Sequence, residues 1–360
     1  MNPLAQVLRD EIEANGPIGF DRFMALALYH PELGYYERAQ PRLGREGDYY
    51  TSVSVGPVFG ELLGFRLARW LAELGDGPLH LVEAGAHDGR LATDLLTYFR
   101  ACEPALAYRL EYWLLEPSER RYAWQRENLA AFGNQVRWAV EMRELPQIRG
   151  VVFSNELLDA LPVHRLQWEG CPGGWRELGV TWERDHFDWT TLPGERVALA
   201  PELPLELRTA LPRGYTLEVG VAARDWWQEA ARHLEAGWLI TLDYGDAPGT
   251  RPRPERPTGT LRAYRQHQLT PDVLADPGEQ DLTAHVDFGV IRAAGEAAEL
   301  ETEELCRQET FLAGILADLE QRAAPFPPWT PARRRQCLTL LHPGHLGTSH
   351  LVLVQRRRNG

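Results

Sequence analysis

The sequence predicts an α/β protein built on a doubly wound, mostly parallel sheet. The first observation is a series of short apolar runs separated by helical stretches: LHLVEA (79–84), LEYWLLE (110–116), QVRWAV (135–140), GVVFSN (150–155) and GWLITLDYG (237–245). Buried parallel strands joined by right-handed crossovers give this alternation. The second observation is a glycine-containing turn directly after the first run, where folds of this kind bind ligands.

Residues 1–75 precede this pattern and are predicted to form a helical cap. Asn2 followed by Pro3 is typical of an N-cap and a first helical position, and apolar residues follow at helical spacing. A second helix is expected over 21–29. A third, longer helix is expected to begin at Pro57, because apolar residues again repeat at helical spacing.

The rest of the chain is divided into a first half of the sheet domain (76–162), an α+β insertion (163–236) and a second half (237–360). The second half contains a segment rich in Pro, Gly, Thr and Gln (246–284), which is predicted to be a long loop.

Within these parts, the pattern favours antiparallel strands over 163–193 and helices over 216–236 and 286–323. The C-terminal run SHLVLVQRRR is expected to form an edge strand.

Composition excludes several classes of protein. The chain of 360 residues has 38 basic residues against 51 acidic ones, a formal net charge of −13. Such a surface repels phosphate backbones and anionic lipids, so neither nucleic acid nor a membrane is expected as a partner. All the basic residues are Arg, since the sequence contains no Lys. This excludes a Schiff base, a P-loop lysine and a lysine general base.

Neither a metal site nor a disulfide framework is predicted. The four cysteines are scattered: Cys102, Cys171, Cys306 and Cys337. None forms a C-x-x-C pair, so a reducing, cytoplasmic location is expected. His342, His345 and His350 lie close together in the sequence, but without the fixed spacing of metal ligands. No apolar run of about 18 residues occurs, and the N-terminal residues are not typical of a signal peptide.

The first candidate site is the turn VEAGAHDGRL (82–91) between the first strand and its helix. Gly85 and Gly89 would let the backbone approach a ligand at a helix N-terminus, and Glu83 precedes them. The spacing lacks the central glycine of G-x-G-x-x-G, which argues against a dinucleotide-binding dehydrogenase. A plain turn between strand and helix is the alternative.

Two further motifs follow strand ends. Glu116 in LLEPS lies where such folds place a carboxylate on ribose hydroxyls, although a capping glutamate is an alternative. In SNELLDALP, Asn155 and Glu156 lie beside the expected ligand crevice. Asp159 falls on the same face as Glu156 if a helical turn follows. Simple helix caps would also account for these acids.

The ordered motifs together resemble the MidA family of S-adenosylmethionine-dependent methyltransferases. Besides the turn at 85–89, they are GPIGFDRFM (16–24), HPELGYY (30–36), GDYYTS (47–52), FGELLG (59–64), NELLDALPV (155–163), WREL (175–178), DYG (243–245), GTLRAY (259–264) and GEQDLTAHVDF (278–288). The resemblance spans residues 16 to about 312. Its specificity lies in the number of separate motifs and their order.

This resemblance implies a class I methyltransferase (Rossmann-like) core with S-adenosylmethionine as cofactor. The residues implied at the cofactor are Glu83, Gly85, Gly89, Glu116, Asn155, Thr51 and Ser52. The family's mitochondrial member is a complex I assembly factor that methylates a protein arginine. A protein arginine side chain is therefore the expected acceptor. Glu156 is expected to grip the guanidinium in a bidentate manner, and Asp159 to support it.

Two departures from the family pattern keep other functions open. The family turn usually reads E-L-G-P-G-R-G, whereas here His87 stands at the central glycine. If that position needs a positive φ, His is uncommon but tolerated. Ser54 replaces a family glutamate. The alternatives are a small-molecule acceptor and a non-catalytic assembly factor that has kept the methyltransferase fold.

Overall fold

The computed structural model describes residues 2–38, 51–193, 203–253, 255–265, 268–322, 324–342, 344 and 346–358. These residues divide into two compact units. We call them the core unit (50–158, 225–245 and 288–360) and the second unit (1–49, 159–224 and 246–287). The domain boundaries predicted from the sequence stay a prediction, and each unit is described in its own bounds.

The helices form where apolar residues recur at helical spacing. They are α1 (Pro3–Asn15), α2 (Phe20–Tyr29), α3 (Val58–Glu73), α4 (Arg90–Cys102), α5 (Pro104–Arg109), α6 (Glu119–Asn128), α7 (Leu205–Ala210), α8 (Val221–His233), α9 (Phe288–Ala297), α10 (Gln308–Arg322) and α11 (Pro331–Leu341). The Asn2 side chain caps α1 as predicted, accepting a hydrogen bond from Ala5 N at 2.7 Å.

The strands are β1 (Ile18–Gly19), β2 (Leu79–Ala84), β3 (Leu110–Leu115), β4 (Val136–Ala139), β5 (Ile148–Asn155), β6 (His164–Trp168), β7 (Trp175–Glu183), β8 (His186–Thr191), β9 (Thr216–Val219), β10 (Leu234–Asp246), β11 (Arg262–Arg265), β12 (Gln268–Thr270), β13 (Asp281–Thr283), β14 (Val286–Asp287), β15 (Glu301–Arg307) and β16 (His350–Arg357). The five apolar runs of the sequence correspond to β2, β3, β4, β5 and β10.

The core unit is built on a sheet with the strand order β15-β16-β10-β5-β2-β3-β4. From β10 to β4 every neighbouring pair is parallel, whereas β16 is antiparallel to both β10 and β15. Trp70 on α3 stacks on Trp238 of β10, with ring centroids 5.4 Å apart, and both are buried. The strand order and the parallel pairing from β10 to β4 confirm the doubly wound, mostly parallel sheet predicted from the sequence.

The second unit contains two smaller sheets. One has the order β1-β7-β6-β9, with β8 paired to β7, and all its pairs are antiparallel. The other has the order β12-β11-β13. The first sheet confirms the antiparallel strands expected over 163–193.

Four local predictions need correction. Residues 216–219 form β9 rather than a helix, and β15 lies inside the segment predicted as helical. The predicted long loop holds β11, β12 and β13, which span three or four residues each and are too short to show periodicity. The C-terminal strand β16 is an interior strand, because β15 covers its other side.

Candidate active site

The carboxyl ends of three parallel strands meet at one edge of the core sheet. Ala84 at the end of β2 is paired in register with Leu115 of β3 and Ser154 of β5. The chain passes from β2 to β3 and β4 on one side and returns to β5 on the other. The strand order therefore reverses at β2, and open α/β sheets bind ligands beside such a switch point.

The turn after β2 has a left-handed backbone at three positions. The φ angles are +77° at Gly85, +49° at His87 and +82° at Gly89, which is the N-cap of α4. His87, which stands at the central glycine of the family's sequence pattern, therefore has a positive φ. His tolerates this region better than most side chains do. The substitution thus leaves a left-handed turn in place.

Glu116 is tied to this turn through Gln125. Its Oε1 accepts hydrogen bonds from Ser118 N and Arg121 Nε, both at 2.9 Å. Its Oε2 accepts one from Gln125 Nε2 at 2.9 Å, and the same amide group donates to the backbone oxygen of His87. A carboxylate has about four lone-pair sites. Among the described residues, these three bonds hold Glu116 in place and leave one lone-pair site for a further donor, such as a hydroxyl.

Glu83 is buried within the sheet and accepts a hydrogen bond from the Tyr112 hydroxyl on β3. Burial raises the pKa of Glu83 from 4.5 to about 8; the Tyr112 hydrogen bond opposes this rise, and the charges of Asp88 and Asp94 add to it. Glu83 is consequently neutral at physiological pH. Its predicted place around the cofactor stays a prediction.

The Glu83 pKa predicts a pH dependence of stability. Between pH 4.5 and about 8 the folded chain holds a proton on Glu83 that the unfolded chain has lost. The free energy of unfolding therefore falls as the pH rises through this window. In Glu83→Gln this contribution disappears, and the decline becomes shallower. Urea unfolding at about pH 5 and about pH 8.5 measures the difference.

Glu111→Gln is the matched control for this prediction, because Glu111 is a half-exposed residue of β3. It is expected to keep the wild-type slope. An unchanged slope in Glu83→Gln would show that Glu83 titrates in its ordinary range.

A second group of side chains surrounds Glu156, directly after β5. Its Oε1 accepts hydrogen bonds from Ser52 N and Asn155 Nδ2, both at 3.2 Å. Thr51 and Ser54 hold the Ser52 segment in a turn, with Thr51 N donating to Ser54 Oγ at 3.0 Å. The structure thus brings Ser52 to the neighbouring residues Asn155 and Glu156, although Ser52 is 104 residues from Glu156 in the sequence. Gly47–Tyr50 of the GDYYTS motif lie outside the described residues.

Asp159 is assigned to the second unit, since the division falls after Leu158. A short 3-10 turn spans Leu158–Ala160 in place of an α-helix. Asp159 is buried, and its backbone oxygen accepts a hydrogen bond from Ala284 N at 2.9 Å. Its predicted support of Glu156 stays a prediction.

Three buried polar atoms at the sheet edge lack hydrogen-bond partners within the described part of the chain. They are Asn155 Oδ1, His87 Nδ1 and His350 Nε2. Because Asn155 Nδ2 is bonded to Glu156, its oxygen faces away from that carboxylate and is available to a ligand N–H. The glycines at positive φ after β2 and the hydrogen-bonded Glu116 carboxylate after β3 lie at the same sheet edge. These residues fit an adenosyl amino acid, which presents an ammonium group and ribose hydroxyls.

The sequence interpretation missed two residues of this group. Asp243, three residues before the end of β10, accepts hydrogen bonds from Leu157 N and Leu158 N at 3.1 and 2.7 Å. His350 Nε2 lies 3.6 Å from Glu156 Oε1. The DYG motif marked Asp243 as part of a strand end. Nothing in the local sequence connects His350 with Glu156.

In the second unit, Asp21, His164 and Glu177 each offer one ligand atom, and these atoms lie within 4.8 Å of one another. His164 Nδ1 and Glu177 Oε1 are 2.8 Å apart, which is the separation of an ordinary hydrogen-bonded pair. The absence of a metal site stays a prediction.

The parallel sheet, the glycine turn at its switch point and the polar strand ends define a class I S-adenosylmethionine-dependent methyltransferase. Residues 62–306 match a family model described as "Putative S-adenosyl-L-methionine-dependent methyltransferase". The chain belongs to this family, and the resemblance to MidA proteins is confirmed. Its cofactor is S-adenosylmethionine.

Known proteins resemble the chain over most of its length. The mouse protein arginine methyltransferase NDUFAF7, mitochondrial, is 30% identical over 96% of this chain and 83% of its own length. The Xenopus laevis protein of that name is 31% identical over 82% of this chain and 71% of its own length. A Burkholderia thailandensis structure bound to S-adenosyl-homocysteine has a TM-score of 0.83 and 30% identity. It covers 98% of this chain and 92% of that one.

These relatives correct one expectation. The predicted cytoplasmic location is wrong, because the NDUFAF7 relatives are named as mitochondrial proteins. Among the described residues, no helix is both long enough and apolar enough to cross a membrane.

Proposed function

We propose that this methyltransferase transfers a methyl group to an arginine side chain of a protein partner. The observation that supports this most directly is the Glu156 carboxylate at the end of β5. Its side chain is 12% exposed. Among the described residues, its hydrogen bonds and its ion pair all go to Oε1. Oε2 is therefore the oxygen that can reach an incoming cation.

The cofactor supplies a methyl group on a positively charged sulfonium when it is bound. A guanidinium acceptor is also a cation, so the two substrates repel each other. A carboxylate at the acceptor offsets this repulsion and orients a guanidinium nitrogen for an in-line approach. The nitrogen that gains the methyl group would release one proton to Glu156 or to solvent, and S-adenosylhomocysteine would be the leaving group. We propose Glu156 as this catalytic residue, with Asp159 in a supporting role.

The remaining site residues are proposed to bind the cofactor. Gly85 would present its backbone N–H group to the methionine portion, near Glu83. The N–H of Gly89 donates to Ala86 O at 2.8 Å, so Gly89 would instead border the methionine portion as the N-cap of α4. Glu116 would accept a hydrogen bond from a ribose hydroxyl, and Asn155 Oδ1 one from the amino group. Thr51 and Ser52 would border the site through the contact of Ser52 N with Glu156.

The names of the relatives support the choice of acceptor, since they are protein arginine methyltransferases. The test is to incubate the purified chain with S-adenosylmethionine and a library of arginine-containing peptides, with matched lysine peptides as the control. Mass spectrometry is expected to place one or two methyl groups on arginine only. Methyl groups on another residue type, or none on any peptide while S-adenosylhomocysteine still binds, would contradict the proposal.

A further inference from the structure

The backbone of Glu156 is held in an unusual conformation. Its φ is +52°, in the left-handed region that a non-glycine residue rarely occupies. Its own N–H donates to Leu242 O on β10 at 2.9 Å. Surrounding contacts must fix such a residue, and such residues cluster at functional sites.

Asp243 fixes the backbone that follows Glu156. Asp243 is fully buried, and its Oδ2 accepts hydrogen bonds from Leu157 N at 3.1 Å and Leu158 N at 2.7 Å. Its Oδ1 accepts one from Tyr244 N at 2.8 Å. A single carboxylate thereby holds the two residues after Glu156 against β10.

His350 faces the carboxylate itself. His350 is fully buried at the start of β16, and its ring lies 4.0 Å from that of Tyr244. Its Nδ1 lies 3.0 Å from Ser349 Oγ and 3.3 Å from Leu346 O. The Ser349 hydroxyl donates its hydrogen to Leu346 O at 3.2 Å, so Nδ1 faces two acceptors and carries a proton. Nε2 is 3.6 Å from Glu156 Oε1. A lone pair directed at a carboxylate would be repelled, so the geometry favours a proton on Nε2 as well.

The surrounding charges also favour a His350 ring that carries a proton on both nitrogens. Burial by itself lowers the pKa of His350, but the contact and charge of Glu156 and the charge of Asp243 outweigh it, so the pKa of His350 is raised. Burial and the charge of Glu156 raise the pKa of Asp243 to about 7. The hydrogen bonds from Leu158 and Tyr244 and the charge of His350 lower this pKa and so oppose the rise. Arg307 on β15 is paired in register with Leu351, but its side chain is exposed to solvent.

We propose that His350 and Asp243 are positioning residues for Glu156. His350 would hold Oε1 as a buried cation, and Asp243 would anchor the following turn, so that Oε2 points toward the acceptor. This inference rests on the proposed role of Glu156. It adds a determinant of turnover that lies on the C-terminal strand, nearly 200 residues away in sequence.

The first test is the pH dependence of turnover in His350→Gln, which is uncharged but similar in size. We expect kcat to fall about 10- to 100-fold, because a displacement of about 1 Å at a reacting group has effects of this size. Affinity for S-adenosylhomocysteine is expected to stay within about twofold of wild type. Wild-type kcat should decline as the pH rises through the raised pKa of His350, and this decline should be absent in the variant.

His80→Gln is the matched control, because His80 is a partly buried histidine at the start of β2 that accepts a hydrogen bond from Arg149 N. It is expected to keep the wild-type pH profile, even if it lowers the melting temperature. An unchanged kcat and pH profile in His350→Gln would overturn the proposal.

The second test does not depend on the acceptor. Long-range ¹H–¹⁵N spectra of the histidine side chains give the protonation state of His350. The signals of His350 are assigned as those that are missing from the spectrum of His350→Gln. We expect an imidazolium that persists above the ordinary titration range of histidine in wild type and is lost at lower pH in Glu156→Gln. Titration in the ordinary range, unaffected by Glu156→Gln, would contradict the positioning role. If the peptide assay fails but these spectra show the expected imidazolium, the proposed arginine acceptor is wrong and the positioning role of His350 stands.

Discussion

Replacing Glu156 by Gln is expected to remove most methyl transfer while leaving cofactor binding nearly intact. The amide oxygen can still accept the hydrogen bond from Ser52 N, so the local fold should persist. The negative charge that offsets the two cationic substrates is lost. Removing one electrostatic stabiliser of a transition state typically lowers kcat about 10²- to 10³-fold. We expect a loss of this size.

Two measurements separate the role of Glu156 in transfer from a role in binding. Single-turnover kinetics gives the transfer rate, and isothermal titration gives the affinity for S-adenosylhomocysteine. Glu141→Gln is a control, since Glu141 has an exposed side chain paired only with the exposed Arg143 in the described structure. Full turnover in Glu156→Gln, or loss of cofactor affinity, would remove Glu156 from the proposed role.

Replacing Gly85 by Ala is expected to weaken cofactor binding about tenfold or more. A Cβ at this position would lie 3.1 Å from Leu157 Cδ1 and 3.3 Å from Leu157 Cβ. The added methyl group would therefore push the turn and the residue after Glu156 apart. A shift of the turn moves the Gly85 N–H group that is proposed to meet the cofactor. Turnover should fall as well, because Leu157 adjoins Glu156.

Gly75→Ala separates this crowding from backbone strain. Gly75 has nearly the same φ, +71° against +77°, but nothing lies within 4 Å of its added Cβ. Both variants should lose about 1–2 kcal/mol in the free energy of unfolding. Only Gly85→Ala should lose affinity for S-adenosylhomocysteine in a titration. Equal affinities would show that the turn does not hold the cofactor.

The sequence predicted the elements whose burial leaves a pattern. Parallel strands such as β2 and β5 are covered on both faces and appear as continuous apolar runs, and α1 and α3 have apolar faces. Strands of three or four residues, such as β11 and β12, have too few positions for a period. The order of strands is also not local information. For this reason β16 was expected at an edge, although β15 covers it.

Some residues of the candidate site could likewise be predicted from the sequence, whereas their environments could not. Gly85, Glu116 and Glu156 could be found because each directly follows a predicted strand, where α/β folds bind ligands. Their separate environments could not be predicted. The same type of carboxyl group is neutral and bonded to Tyr112 at Glu83, and bonded to Arg121 at Glu116.

The amino-acid sequence by itself determined the α/β fold class, and the resemblance of its ordered motifs to the MidA family indicated a methyltransferase with S-adenosylmethionine as its cofactor. Alternating apolar runs and ordered motifs are local properties that can be read along the chain. Only the tertiary structure decided that His350, Asp243 and Ser52 surround Glu156. Contacts between residues far apart in sequence depend on strand order and register, and these are set only when the strands pair and the core packs.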